Sequence, residues 1–238
     1  MSKRYFIGDP HFGHKLVAAT RGFFKEDVNG KVEVDIEAHD MAVMQSIFDT
    51  VPQGSEIVFM GDLSIDKDSE KALFLMKVLT LRGYLLKLRP GNHDRVHPLH
   101  GNKVEHYMPA FKAVFSEILE RSMEKIWDRT VYFSHFPVIG DRGETRYAEW
   151  RFPLSVLDKE NAWSVHAHTH QETIVDKSRP KHVCVSWDVM RRPISEDEIK
   201  RVVLGQAGKR SIEKRASWGA QEGYRALAEQ VKNREVRI

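Results

Sequence analysis

Five short stretches of this 238-residue chain offer Asp, Asn and His in groupings that suit metal coordination. They are Asp9-Pro10-His11, Gly61-Asp62, Gly91-Asn92-His93-Asp94, Ser134-His135 and His168-Thr169-His170. Carboxylate oxygen, imidazole nitrogen and an Asn amide oxygen make a mixed N/O donor set of the kind that takes Mn²⁺, Fe²⁺ or Zn²⁺. None of the five supplies a thiolate, which argues against a structural zinc site of the cysteine type. Taken singly, each stretch is ordinary turn chemistry. Their recurrence is not ordinary, because all five come directly after an apolar, strand-like run. The donors suffice for a pair of divalent ions, and Asp62 lies between the two ligand groups in sequence, as a bridging carboxylate would.

Elements must exist to carry these residues. Arg4–Gly8, Glu56–Met60, Tyr84–Leu88, Thr130–Phe133, Trp163–His166 and His182–Trp187 are rich in Val, Ile, Phe and Tyr and read as buried strands. Between them, helical spacing runs over Ile36–Val51, Lys67–Arg82 (with Gly83 as its cap), Met108–Ile126 and Glu196–Leu204. The last begins with Ser195 followed three residues on by Glu198, a capping box. Strands alternating with helices predict an α/β protein of stacked layers. In such folds ligands gather in loops at the carboxyl ends of strands, where the five stretches fall.

Composition limits the rest. Apolar residues make up 41% and charged residues 30%, as in an ordinary globular protein. No apolar run is long enough to cross a bilayer, and the opening residues lack the pattern of a signal peptide. The single cysteine, Cys184, lies in the apolar run Val183-Cys184-Val185 and fits a buried filler in a reducing compartment, so a cytoplasmic location is expected. The net charge is +3, but Gln206–Ile238 holds eight Lys and Arg against four Glu, a net of +4. The body is therefore at −1, and the basic character belongs to the tail. Residues 1–204 are expected to form one domain and 205–238 a basic, mostly helical extension. Its Trp218 and Tyr224 raise nucleic-acid contact as an idea, but a solvated helix or one packed on a second subunit is favoured.

The set Asp9-x-His11, Gly61-Asp62, Gly91-Asn92-His93-Asp94, His135 and His168-x-His170 resembles the calcineurin-like metallophosphoesterases, over about residues 4–204. It is most similar to small bacterial and phage members, which open like Gly8–His14 and close like Trp187–Ser195. Where that family has Gly before the first His of its last motif, this chain has Ala167. The resemblance implies a four-layer α-β-β-α sandwich with two mixed sheets. It implies one ion on Asp9, His11, Asp62 and His170, and another on Asp62, Asn92, His135 and His168, with Mn²⁺ the favoured metal. A hydroxide held between two such ions would attack phosphorus. His93 would protonate the leaving group, and Asp94 would orient its ring. A phosphodiesterase acting on a small or nucleotide-type phosphate ester is the expected activity. A phosphomonoesterase or nuclease on the same ligands is the alternative, and a non-catalytic scaffold is disfavoured by the intact Asn92-His93 step. Arg142 and Arg146 are candidates for gripping phosphate, and His14 and His166 for supporting roles. His39, His97, His100, His106 and His182 read as ordinary surface or core histidines. A homo-oligomer is compatible with the sequence.

Overall fold

The computed structural model describes residues 3–65, 69–126, 128–138, 146–153, 155, 161–176, 179–205, 229 and 231–233. Among them are three sheets and six helices. The strands are β1 (Arg4–Ile7), β2 (Phe24–Glu26), β3 (Val32–Val34), β4 (Glu56–Phe59), β5 (Leu85–Leu88), β6 (Glu117–Ile118), β7 (Arg121–Ile126), β8 (Arg129–Ser134), β9 (Trp163–His166), β10 (Val175–Asp176), β11 (Arg179–Cys184) and β12 (Ile194–Ser195). The helices are α1 (Lys15–Thr20), α2 (Ile36–Thr50), α3 (Ser69–Leu81), α4 (Lys103–Lys112), α5 (Trp187–Met190) and α6 (Glu196–Val203).

One five-stranded sheet has the order β12-β1-β4-β5-β6, a second the order β10-β11-β9-β8-β7, and β2 and β3 form a separate hairpin. In the first sheet β1, β4, β5 and β6 run parallel, and in the second β8, β9 and β11 do. Antiparallel β12, β7 and β10 complete the edges, so both sheets are mixed. The apolar pattern explains the layering. Tyr5, Ile7, Ile57, Phe59, Leu86 and Leu88 pack one face of the first sheet under α2, α3 and α4. Phe6 and Val58 point the other way and meet Val131, Phe133, Val165 and Val183 of the second sheet. The α/β sandwich expected from the sequence is present. On the outer face of the second sheet, Tyr132 packs with Val138, Phe152 and Ala162 of the β8–β9 connection.

Two expected elements differ. The helix expected over Met108–Ile126 is in fact α4, ending at Lys112, followed by β6 and β7. Arg121–Ile126 alternates exposed and half-buried along a full antiparallel pairing with β8, a period of two that overrides the helical spacing of Phe111, Phe115 and Ile118. The run His182–Trp187 also divides. β11 stops at Cys184, the chain pairs Gly8 with Ser186, and Trp187 starts α5. No helix among the described residues is long and apolar enough to cross a membrane. Beyond Gly205, the expected linker and most of the basic tail lie outside the described residues. Of the tail, Val231 packs against Ala19 and Phe24, and Lys232 pairs with Glu172.

Candidate metal centre

The five polar stretches converge at one end of the sandwich, between the carboxyl ends of the two sheets. Asp9 and His11 follow β1, Asp62 follows β4, and Asn92 follows β5. His135 follows β8, and His168 and His170 follow β9. The first sheet thus supplies four of the seven expected ligands and the second sheet three. Backbone bonds continue past the strand ends and fix the loops: Asp9 N donates to Gly61 O, His11 N to Asp62 O, and Ala167 N to His135 O. Asp9, His11, Asp62, His168 and His170 all have positive φ, between 47° and 68°. Asp and His tolerate this left-handed region better than most side chains, and such strain is typical of functional loops.

The side chains form two groups able to hold a metal ion, Asp9 with His11 and His170, and Asp62 with His135 and His168. Within each group the ligand atoms lie within 4.8 Å of one another. His11 Nε2 is 3.2 Å from His170 Nε2, and His135 Nε2 is 3.1 Å from His168 Nδ1. Tautomers make these approaches informative. His135 Nδ1 donates to Met60 O at 2.8 Å, and His170 Nδ1 lies 2.8 Å from the Asp188 carboxylate, so in the neutral rings both Nε2 atoms are left as lone-pair donors. Ring nitrogens this close to one another would suit a common cation. Asp62 Oδ2 lies 3.8 Å from His11 Nε2 and 3.4 Å from His135 Nε2, between the groups. Asn92 Oδ1 is buried with no hydrogen-bond partner, and Asn92 lines the same cavity as His11, Asp62 and His168. An orphaned amide oxygen on a residue that shares its cavity with those imidazoles and that carboxylate fits a cation.

Electrostatics agree with that fit. Burial tends to raise Asp62, but His135, His11 and His93 outweigh it and hold this carboxyl well below its ordinary range. Burial tends to lower His135, yet Asp62 and Asp9 push it up to about 9. Burial depresses His11, and burial with the charge of His135 brings His168 down to about 3. Asp62 first, and Asp9 beside it, thus favour the protonated ring of His135, and a divalent ion binding there would displace that proton.

The remaining expected residues fall into place unevenly. His93 lines a cavity of about 530 Å³ that opens over the ligands, and its backbone N–H donates to Asp62 Oδ1 at 2.9 Å. Asp94 does something other than orient the His93 ring. Its two oxygens accept the backbone N–H groups of Asp62, Leu63 and Gly91 at 2.7–3.0 Å, bracing two ligand loops against each other. Gly91 is needed there, because a Cβ on it would collide with the Asp62 carboxylate and the His135 ring. The Ala167 methyl is accommodated because Gly8 faces it, and a Cβ on Gly8 would strike it. His14 supports His11, Nδ1 to Nδ1 at 3.3 Å. His166 bonds the Ala167 carbonyl and is turned away from both groups. Arg146 lines the cavity, while Arg142 lies outside the described residues.

Several contributors were not singled out from the sequence. Arg151, fully buried, and Tyr147 line the cavity beside His168. His100, read as ordinary, donates to the Asn92 carbonyl at 3.1 Å. His39, also read as ordinary, is buried in a charged network behind the first group, with Arg21 and Asp188. Local sequence carries little sign of these roles, since the partners lie far apart along the chain.

Fold and site together define an α/β sandwich with a candidate metal centre at the carboxyl ends of both sheets. Its fold is similar to that of AQ665 from Aquifex aeolicus, a protein of unknown function, with a TM-score of 0.60. That similarity covers 85% of this chain and 100% of the other, at 20% identity, and is a likeness of fold. Neither a family model nor a curated protein matches the sequence.

Proposed function

We propose that this chain is a binuclear metal-dependent phosphoesterase, with Mn²⁺ as its favoured ion and a phosphodiester as its favoured substrate. The observation that carries this reading is the closeness of two His/Asp groups, with Asp62 Oδ2 3.8 Å from His11 Nε2 of one and 3.4 Å from His135 Nε2 of the other, together with the buried, unpartnered Asn92 Oδ1. Two adjacent divalent ions supply Lewis acidity, water activation and charge neutralisation at phosphorus. The chain's own residues do the rest. Asp9, His11 and His170 would hold one ion, and Asn92, His135 and His168 the other, with Asp62 placed to serve either.

His93 stands on the cavity wall next to Asn92 and can hand a proton to the departing oxygen. An alkoxide is a poor leaving group, so a proton from a residue in this position would assist cleavage of a diester and of a monoester as well. Arg146 and Arg151 add positive charge on the wall beside His168, where phosphate oxygens can be held. A cavity of about 530 Å³ accommodates a small or nucleotide-type ester.

The test is hydrolysis of bis-p-nitrophenyl phosphate beside p-nitrophenyl phosphate, each with Mn²⁺ and with chelator. Mn²⁺-dependent turnover of the diester is expected. Turnover of the monoester alone would transfer the reading to a phosphomonoesterase, and no metal-dependent turnover of either would sink the enzyme.

A further inference from the structure

Asp188 neither belongs to a metal-ligand group nor lines the cavity, yet it touches the site directly. It lies in the first turn of α5, and its Oδ2 accepts from His170 Nδ1 at 2.8 Å and from Ser186 Oγ at 2.9 Å. Arg21 forks onto the same carboxylate, Nε to Oδ1 at 2.8 Å and Nη2 to Oδ2 at 2.7 Å. The Arg21 side chain is 2% exposed and that of Asp188 12%, so the pair is shielded from competing water.

The remaining Arg21 donors reach the other side of the same ligand group. Nη2 donates to the Asp9 carbonyl at 2.7 Å and Nη1 to the Pro10 carbonyl at 3.1 Å. Nη1 also meets His39 Nε2 at 2.8 Å. As Arg can only donate, His39 Nε2 accepts, and its Nδ1 donates to Asp40 Oδ1 at 2.9 Å. The Asp40 carboxylate accepts the Gly13 N–H at 3.0 and 3.1 Å and pairs with Lys71 at 2.6 Å. One chain of charge-assisted bonds, buried at Arg21 and His39 and reaching solvent at His170 (37% exposed), thus ties the loop bearing Asp9 and His11 to the ring of His170, across the gap between the sheets. The second group is braced differently, by the Met60 carbonyl on His135.

We propose that Asp188, locked by Arg21, is the positioning residue of the first ligand group and sets how tightly that group holds its ion. It rests on the reading of the site as a two-ion centre. The physical basis is direct. A carboxylate accepting Nδ1–H fixes the tautomer that leaves Nε2 free, aims the ring and makes Nε2 a stronger donor to metal. Arg21 prevents the carboxylate from turning away and carries the same constraint to the Asp9–His11 loop.

The test is calorimetric titration of the full metal-free chain with Mn²⁺. In Asp188→Asn, one of the two ions should bind about 10–100-fold more weakly and the other with parental affinity. His170→Ala should lose the same ion, and Asp188→Asn added to it should bring no further loss, which a general loosening of the fold would not reproduce. If Asp188→Asn fails to fold because Arg21 is left buried without a counter-charge, Arg21→Gln with Asp188→Asn removes both charges together and should show the same selective loss. Parental affinity for both ions in the folded variant, or additive losses with His170→Ala, would overturn the proposal alone. Failure of the parent chain to bind Mn²⁺ would overturn the two-ion reading with it.

Discussion

At the scale of single residues, the centre is defined by which nitrogen or oxygen is left without another task. His135 and His170 spend Nδ1 on a carbonyl and a carboxylate, and Asn92 leaves Oδ1 unsatisfied. His93 has a different placement, on the cavity wall, with its backbone N–H engaged by Asp62 and its ring edge-on to His11 and His14. His93→Ala is therefore expected to lower kcat by about 10²–10⁴-fold while bound Mn²⁺ stays near the parental content. Metal analysis of the purified variant checks this, and an emptied site would make His93 a ligand. The types and order of the ligands were legible in the sequence because each interrupts the chain just after a strand-like run. The work of Asp94 was not. Adjacency to His93 suggested a bond to its ring, but the turn directs the Asp94 carboxylate onto three backbone N–H groups.

At the scale of elements, short strands and helices act by setting where loops begin. The capping box of α6 was legible as Ser195 and Glu198 and is realised in full: Ser195 Oγ accepts the Glu198 N–H, and the Glu198 side chain accepts the Ser195 N–H. Arg192 forks onto the same Glu198 carboxylate at 2.6 and 3.2 Å. The helix seats Ile199 and Val203 in the core between the sheets. Ser195→Ala is expected to cost about 1 kcal/mol in urea unfolding at neutral pH. Burial tends to raise the Glu198 pKa, but the bonds from Arg192 and Ser195 outweigh it and bring it below the ordinary 4.5. Its contribution is thus complete above that ordinary value and fades as pH falls through the lowered one. Glu198→Gln should be less stable than the parent at pH 7, and the difference should narrow as pH falls below the ordinary 4.5 and close once it passes the lowered value. The expected helix over Met108–Ile126 shows the limit of element-level reading. Phe111, Phe115 and Ile118 satisfy a helical period, and only the pairing of β7 with β8 reveals that the later part serves a sheet edge.

At the scale of the molecule, each ligand group takes residues from both sheets. Asp9 and His11 reach His170 across the gap, and Asp62 reaches His135 and His168. A bound ion would therefore pin one sheet to the other and stabilise only the folded chain. Mn²⁺ at about 100 times its Kd should add about 2.7 kcal/mol. For a chain of this size that corresponds to a rise in melting temperature of about 5–10 °C. Calorimetric melting with Mn²⁺ and with excess chelator reads the difference, and identical transitions would rule out ions held in this way.

The sequence by itself determined the candidate ligand types, the strand ends that carry them and the α/β class. These are local properties, written in period, turn chemistry and residue type. Only the tertiary structure decided which ligands share a group, that Asp62 lies between the groups, and that Arg21 and Asp188, 167 positions apart, close on each other behind His170. The reason is that a strand fixes the direction in which a side chain leaves the chain. Which other side chain it meets is set by how two sheets stack, and that depends on packing of the whole core between them.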